Sequence, residues 1–243
     1  MGEGSVTIDL ADEAITLMPD RAAWWGACRT LIVADLHLGK SETMRVAGLP
    51  VPDVDLDEQF ERLARLVSKT DAARVVVAGD LIHAPAGLTP GLSARVAGRL
   101  GELRDRGVSM VLVRGNHDRR IEGVEAAWGI AEIHETLVLG SIRVVHEPSR
   151  GREEVGRSGG AFIAGHLHPA MPVGGDKVPA FVASGSHLIL PAFSRFTAGG
   201  RVLRQPGQRW YPIADGQVME LGVGEGERRA WEGSMRSSRP APR

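Results

Sequence analysis

The sequence predicts a layered α/β fold: one sheet whose strands alternate with helices, and a second sheet packed against it. Two observations carry this expectation. Short apolar runs alternate with amphipathic stretches through the first two thirds of the chain, and later strand-like segments follow one another with no long helix between them. A third observation concerns where the runs stop. "TLIVAD", "RVVVAGD", "VSMVLVRGNHD", "IRVVHEP" and "AFIAGHLHP" are each rich in β-branched or apolar residues, and each ends in acid, amide or imidazole groups.

The elements follow in order. After the first run, Phe60, Leu63, Ala64 and Val67 recur at helical spacing in "VDLDEQFERLARLVSKT", and Asp55 with Glu58 has the form of a capping box. Between the second and third runs, Thr89 and Pro90 read as the cap and first position of a helix with Leu92, Val96, Leu100 and Leu103 on its inner face. In such strand-helix-strand sheets ligands bind beyond the carboxyl ends of the strands, so residues far apart in sequence converge there. "VPAFVAS", "HLILPAF" and "RVLRQP" are the strand candidates of the second sheet. From Gly222 onward the composition turns to Gly, Ser, Pro and Arg, which predicts one domain over residues 1–221 and a disordered basic tail over 222–243.

Composition narrows the function. Lys and Arg total 29 against 30 for Asp and Glu, so the net charge of -1 gives no global attraction to polyanions. Any contact with nucleic acid must rest on a local patch. A single cysteine, Cys28, excludes an internal disulfide framework and fits a reducing compartment. With no signal-peptide pattern at the start and no apolar run of the roughly 20 residues that span a bilayer, the expectation is a soluble cytoplasmic protein with no membrane partner.

The polar strand ends supply Asp35, His37, Asp80, Asn116, His117, His146, His166 and His168. Carboxylates, imidazoles and one amide make a mixed oxygen and nitrogen donor set, suited to Mn, Fe, Zn or Ni and poorly suited to Mg or Ca alone. Asp80 follows Gly79, whose missing side chain lets the backbone approach closely, and its two oxygens are able to bridge a metal pair. Two such ions form the clamp used for in-line displacement at phosphorus. Each motif alone has an ordinary reading as a solvated turn or a core histidine. Their conjunction, in one order and each after a strand, does not.

"DLH", "GDLIH", "GNHD", the "VVHEP" histidine and "GHLH" together resemble the calcineurin-like metallophosphoesterase superfamily. The resemblance implies a four-layer α/β/β/α sandwich of two mixed sheets flanked by helices, with a dinuclear metal centre at the strand ends. Carried over residue by residue, it assigns Asp35, His37, Asp80 and His168 to one metal and Asp80, Asn116, His146 and His166 to the other. A bridging hydroxide then attacks phosphorus, and His117, free of metal, protonates the leaving group or steadies the pentavalent state. Within the superfamily, "ADLHLGKSETMRVAGLPVP", "RGNHDRR", "AGHLHPA" and "LPAFSRFTAGG" resemble the bacterial ligase-associated DNA damage response phosphoesterases of the PdeM type. That likeness implies two divalent ions, Mn first and Fe or Zn next, a phosphodiesterase or endonuclease acting on nucleic acid in DNA repair, and a DNA ligase, a nuclease and a helicase as functional partners. The alternatives are a small-molecule phosphoesterase for cyclic nucleotides or a nucleotide-sugar lipid precursor, and a non-catalytic scaffold.

Other residues stay open at this level. Arg114, Arg119 and Arg120 either clasp a substrate phosphate or are solvated loop charges. Asp118 either orients His117 or caps the next turn. His83 either supports the metal ligands or caps its loop, and Lys40 and Arg45 are either a substrate wall or surface charge. His134, His187, Trp24 and Trp25 read as structural, and the tail's Trp and arginines read as solvated.

Overall fold

The computed structural model describes residues 3–52, 55–120, 123–173, 176–197, 199–200, 202 and 204–221. The expected tail, 222–243, lies outside them, as do the side chains of Arg120 and Val173. The first sheet runs in spatial order β1 (Val6–Leu10), β2 (Glu13–Met18), β3 (Ala22–Trp25), β4 (Thr30–Val33), β5 (Arg74–Ala78), β6 (Ser109–Val113) and β7 (Glu132–His134). β1 to β4 pair antiparallel, and β4 to β7 pair parallel. The helices are α1 (Lys40–Val46), α2 (Asp55–Thr70), α3 (Pro90–Asp105), α4 (Val124–Trp128) and α5 (Pro148–Ser158).

The second sheet is built from β8 (Leu137–Leu139), β9 (Ile142–Val145), β10 (Ala161–Ala164), β11 (Ala170–Val173), β12 (Asp176–Ser184), β13 (His187–Ile189), β14 (Arg209–Ala214) and β15 (Gln217–Val218). Its order is β15-β14-β12-β13-β10-β9-β8, with β11 pairing on β12. β10 pairs parallel with both β9 and β13, and the other pairings are antiparallel, so both sheets are mixed.

Strand alternation sorts the core into layers. On β4, Leu31 and Val33 pack with Leu63 of α2 and Leu100 of α3, while Ile32, with Ala34 just past the strand, enters a second cluster with Val144, Ile163 and Phe181 of the other sheet. β5 divides in the same way, Val75 and Val77 against Val76 and Ala78. On the far side of the second sheet, Phe162, Ala164, Val182 and Trp210 form a third cluster with Val155 of α5. The result is the helix, sheet, sheet, helix order. At roughly 1.5 to 3 kcal/mol for each fully buried large apolar side chain, the two-sided burial of β4, β5 and β6 is what makes their ends firm anchors for polar groups.

α3 begins as expected: Thr89 Oγ1 accepts from Leu92 N at 3.2 Å, Pro90 takes the first turn, and Leu92, Val96, Leu100 and Leu103 are buried. Three expectations are corrected. Asp55 and Glu58 form no capping box; Asp55 is the first residue of α2 and accepts from Gln59 and Ser194, while Glu58 pairs with Arg62 and Arg195. "RVLRQP" contributes no strand at its described residues 202 and 204–206. The first sheet begins three strands earlier than the alternating unit, because β1 to β3 extend it antiparallel from β4. Trp25, read as structural, is buried there with Nε1 donating to Glu13 at 3.0 Å.

Candidate metal centre

The parallel strands end abruptly and their loops carry the polar groups. Beyond β4, Asp35 N donates to the Gly79 carbonyl at 3.0 Å and His37 N to that of Asp80 at 2.9 Å, so the loops after β4 and β5 lie side by side. Asp35, His37, Asp80, His166 and His168 all have φ between 46° and 69°. Non-glycine residues seldom adopt this left-handed region, and five together mark a place where the surrounding structure imposes the backbone. The approach is close as well. A methyl group on Gly79 would lie 2.1 Å from His146 Nδ1, and one on Gly115 would lie 2.2 Å from Asp80 Oδ1. Each glycine stands immediately before one polar residue and makes room for another.

Asp35 and Asp80 are buried, at 0% and 3% exposure, and no Lys or Arg pairs with either among the described residues. His166 N donates to both Asp35 oxygens, at 3.2 and 3.0 Å, and His117 N donates to Asp80 Oδ1 at 3.0 Å. Imidazoles surround them in groups. Ligating atoms of Asp35, His37 and His168 lie within 4.8 Å of one another, as do those of Asp80, His146 and His166. Asn116 joins the second group, with Oδ1 3.0 Å from His146 Nε2.

The donor geometry fits divalent cations. His146 Nδ1 lies 3.1 Å from the Ala78 carbonyl, an acceptor only, so it carries the ring hydrogen. In the neutral ring Nε2 then aims a lone pair at Asn116 Oδ1, at Asp80 Oδ2 3.4 Å away and at His166 Nδ1 3.1 Å away. At the second pole His37 Nε2 and His168 Nε2 lie 3.3 Å apart and His168 Nε2 lies 3.3 Å from Asp35 Oδ1, while the buried His37 Nδ1 has no hydrogen-bond partner among the described residues. Lone pairs that converge in this way suit a shared cation.

Burial pushes His37 down to about 3, with His168, His117 and His83 adding to the effect against the opposing charge of Asp80. His166 is lowered by burial and by His146. Such rings are neutral, as metal ligands must be. His146 goes the other way: against the cost of burial, a hydrogen bond from protonated Nε2 to Asp80 and the Asp80 charge raise it to about 9, so a cation held there takes the place of that proton and returns the ring to the neutral form.

His117 is more open, with a side chain 37% exposed and Nε2 3.9 Å from Asp80 Oδ2. Its Nδ1 lies 2.5 Å from the His83 carbonyl, which leaves Nε2 free to face the cluster. His83 itself stacks on His117 at 5.6 Å and forms a third possible ligand group with His37 and His117. Position in "GDLIH", three residues past Asp80, was the available signal. Asp118 does not reach the His117 ring: its oxygens accept from Ile82 N at 3.1 Å and Gly115 N at 2.9 Å, tying the two loops together.

The flanking arginines are partly brought in. Arg114 and Arg119 line a cleft of about 240 Å³ with Asn116, Glu135, His146, Glu147 and Arg150, a residue absent from the sequence-based candidates that pairs with Glu135 at 3.0 Å and Glu154 at 3.2 Å. Arg114 also pairs with Glu125 at 3.1 Å. Lys40 lies 5.6 Å from the centre of the Phe196 ring, and Arg45 bonds to Glu42. His134 pairs with Glu132, and His187 bonds to Ser184 and stacks on Phe162, both away from the cluster.

A family model for calcineurin-like phosphoesterases matches residues 28–169, which include every residue of the cluster. The chain belongs to this family. Calcineurin-like phosphoesterases bind divalent metals, and the grouped carboxylates and imidazoles are this chain's candidates for holding them. Among solved structures the chain is similar to the Pseudomonas putida nuclease MPE, with a TM-score of 0.75 and 30% identity over 89% of this chain and 100% of the other. It is also 34% identical over 101 residues to the DNA double-strand break repair protein Mre11 of Methanopyrus kandleri. That stretch is 41% of this chain and 21% of the relative, so the chain spans about a fifth of that protein's length. Among the described residues no helix is long and apolar enough to cross a membrane.

Proposed function

We propose that this calcineurin-like phosphoesterase is a manganese-dependent phosphodiesterase that cuts the nucleic-acid backbone, as an endonuclease in DNA repair. One observation carries the reading: two buried carboxylates that no Lys or Arg of the described residues neutralises sit among converging imidazoles, beside a cleft lined by Arg114, Arg119 and Arg150. The similarity to a nuclease over nearly the whole chain supports a polymeric substrate, and the shorter similarity to a double-strand break repair protein supports the setting. A DNA ligase, a nuclease and a helicase are the partners this setting implies.

In this reading Asp35, His37, Asp80 and His168 would hold one ion, and Asp80, Asn116, His146 and His166 would hold the other. When bound, such ions neutralise charge on the phosphoryl oxygens and make water acidic enough to attack phosphorus near neutral pH. The chain supplies the rest. The Ala78 carbonyl fixes the tautomer of His146, and the His166 amide holds both Asp35 oxygens. His117, oriented by the His83 carbonyl, holds at Nε2 the proton that passes to the departing oxygen. Arg114, Arg119 and Arg150 orient a flanking phosphate by forked hydrogen bonds.

The test is a substrate profile with manganese across single-stranded DNA, duplex DNA, RNA, cyclic nucleotides and a simple diester. Cleavage of oligonucleotides, lost on chelation and weakened through the Michaelis constant by Arg119→Glu, is the expected result. Hydrolysis confined to cyclic nucleotides or small diesters would overturn it in favour of a small-molecule phosphoesterase. No hydrolysis of any substrate would leave a binding scaffold.

A further inference from the structure

A second cleft, of about 230 Å³, opens beside His168 and shares no lining residue with the cleft at Arg114. Among the described residues its charged lining is Arg21, Lys177 and Arg195, with no carboxylate. In a chain whose charges otherwise balance, three cations converging beside a ligand candidate form a local anion site.

The wall that presents Arg195 is fixed to the metal cluster. Phe193 N donates to the Ala34 carbonyl at 2.7 Å and Ser194 N to that of Asp35 at 3.3 Å. Two arginines clamp the same stretch from beneath. Arg62, fully buried, donates to the Phe193 carbonyl and lies 4.0 Å from the centre of its ring. Arg21 Nη1 donates to the carbonyls of Ala192, at 3.3 Å, and Ser194, at 2.8 Å. Ordering the loop in advance lowers the entropy cost of binding there.

Beyond this anchored turn the side chains point out. Arg195 is 60% exposed, and its pair with Glu58, at 3.5 Å, is of the loose surface kind that contributes little. Lys177 is exposed and has no ion-pair partner among the described residues. Phe196, the next residue after Arg195, is the one aromatic among the exposed large apolar side chains of the described residues, at 36% exposure. Lys40, three residues past His37, lies 5.6 Å from its ring centre. Phe196 does not line the cleft itself; it stands between the lining residues Arg195 and Thr197 with its ring toward Lys40, so an exposed ring sits at the rim of a cationic cleft, the combination by which proteins hold unpaired nucleotides, with charge tracking the phosphates and the ring stacking a base.

We propose that this cleft is a nucleotide subsite for single-stranded nucleic acid, taking a backbone phosphate on Arg21, Lys177 and Arg195 and an unpaired base on Phe196. The proposal rests on the nuclease reading above and extends it: a strand crosses the metal cluster from the Arg114 cleft to the His168 cleft. Duplex is disfavoured, since a paired base cannot offer its face to Phe196.

The experiment measures binding rather than turnover. A fluorescein-labelled oligothymidylate is titrated into the manganese-loaded full chain carrying His117→Asn, across a range of salt concentrations, and compared with the same background carrying further substitutions. Each phosphate contact on a single strand contributes about 0.7 to the slope of log affinity against log salt. Arg195→Glu and Lys177→Glu should each flatten that slope by about 0.7 or more, whereas Arg195→Lys should keep it. Lys69→Glu, the same charge change at the exposed far end of α2, should leave it unaltered. Phe196→Ala should weaken binding about 5- to 150-fold with the slope retained, and Phe196→Trp should restore it. Unchanged slopes in both Arg195→Glu and Lys177→Glu overturn the phosphate subsite, and unchanged affinity in Phe196→Ala overturns the stacking site. Wild-type protein that hydrolyses a small diester but neither binds nor cuts any oligonucleotide overturns the nuclease reading itself, a result distinct from the other two.

Discussion

Gly79→Ala tests the physical basis of the centre with a single methyl group. Gly79 has a φ of +85°, and the added carbon would lie 2.1 Å from His146 Nδ1 and 2.3 Å from Cγ. His146 is buried at 3% exposure and tied to the Ala78 carbonyl, so its ring has nowhere near to go. Two costs add. Left-handed backbone costs an alanine about 1 to 2 kcal/mol, and overpacking a closed site costs about 1 to 3 kcal/mol. The sum, about 2 to 5 kcal/mol, lowers the melting temperature of a chain this size by about 4 to 20 °C. Gly48→Ala separates the two, because Gly48 has nearly the same φ, +83°, with nothing within 4 Å of an added carbon. Urea denaturation in chelator should place Gly79→Ala below Gly48→Ala by the steric part alone. Elemental analysis of the manganese-loaded variant should show one ion lost, because the displaced ring belongs to the group with Asp80 and His166. Equal stability of the two variants, with full metal content in Gly79→Ala, would refute the claim that Gly79 exists to admit His146.

Asp80→Ala should lose both metals while Asn116→Ala weakens mainly one, and full two-metal content in Asp80→Ala would remove it from the ligand set. His117→Asn should keep metal and fold but slow catalysis by about 10² to 10⁴; the loss should shrink on a nitrophenyl ester, and equal losses on good and poor leaving groups would favour phosphate positioning over proton transfer. Asp118→Ala strands the buried amides of Ile82 and Gly115, at about 1 to 3 kcal/mol each, so a chemical denaturation midpoint matching wild type would show that the two loops are held by other means.

The candidate centre was legible because the residues that the fold brings together are marked by type and order. Asp35, His37, Asp80, Asn116, His146, His166 and His168 stand after strands whose two-sided burial makes them read as unbroken apolar runs. β1 was harder to see although Val6, Ile8 and Leu10 alternate, because its hairpin turns through Ala11 and Asp12, both at positive φ, without the glycine that usually signals such a turn. The capping box failed for a different reason. Asp55 bonds to Ser194 and Glu58 pairs with Arg195 as well as with Arg62 one turn on, and contacts across more than 130 residues, such as those to Ser194 and Arg195, leave no trace in local spacing. Arg150 and the Arg21 cleft escaped for the same reason, since cations gathered from distant segments look like surface charge until the chain is folded.

The left-handed backbone at Asp35, His37, Asp80, His166 and His168 sets a condition on descent. Aspartate and histidine enter this region more readily than most residues, so at no more than about 1 to 2 kcal/mol apiece the five hold back at most about 5 to 10 kcal/mol, on the scale of the net stability of many domains. A lineage that ceased to need the centre would gain by letting glycine or asparagine drift into these positions, and its proteins would become sturdier as they became inert. A chain that uses the candidate centre is therefore expected to keep all five costly residues, and a descendant that does not use it is expected to lose them.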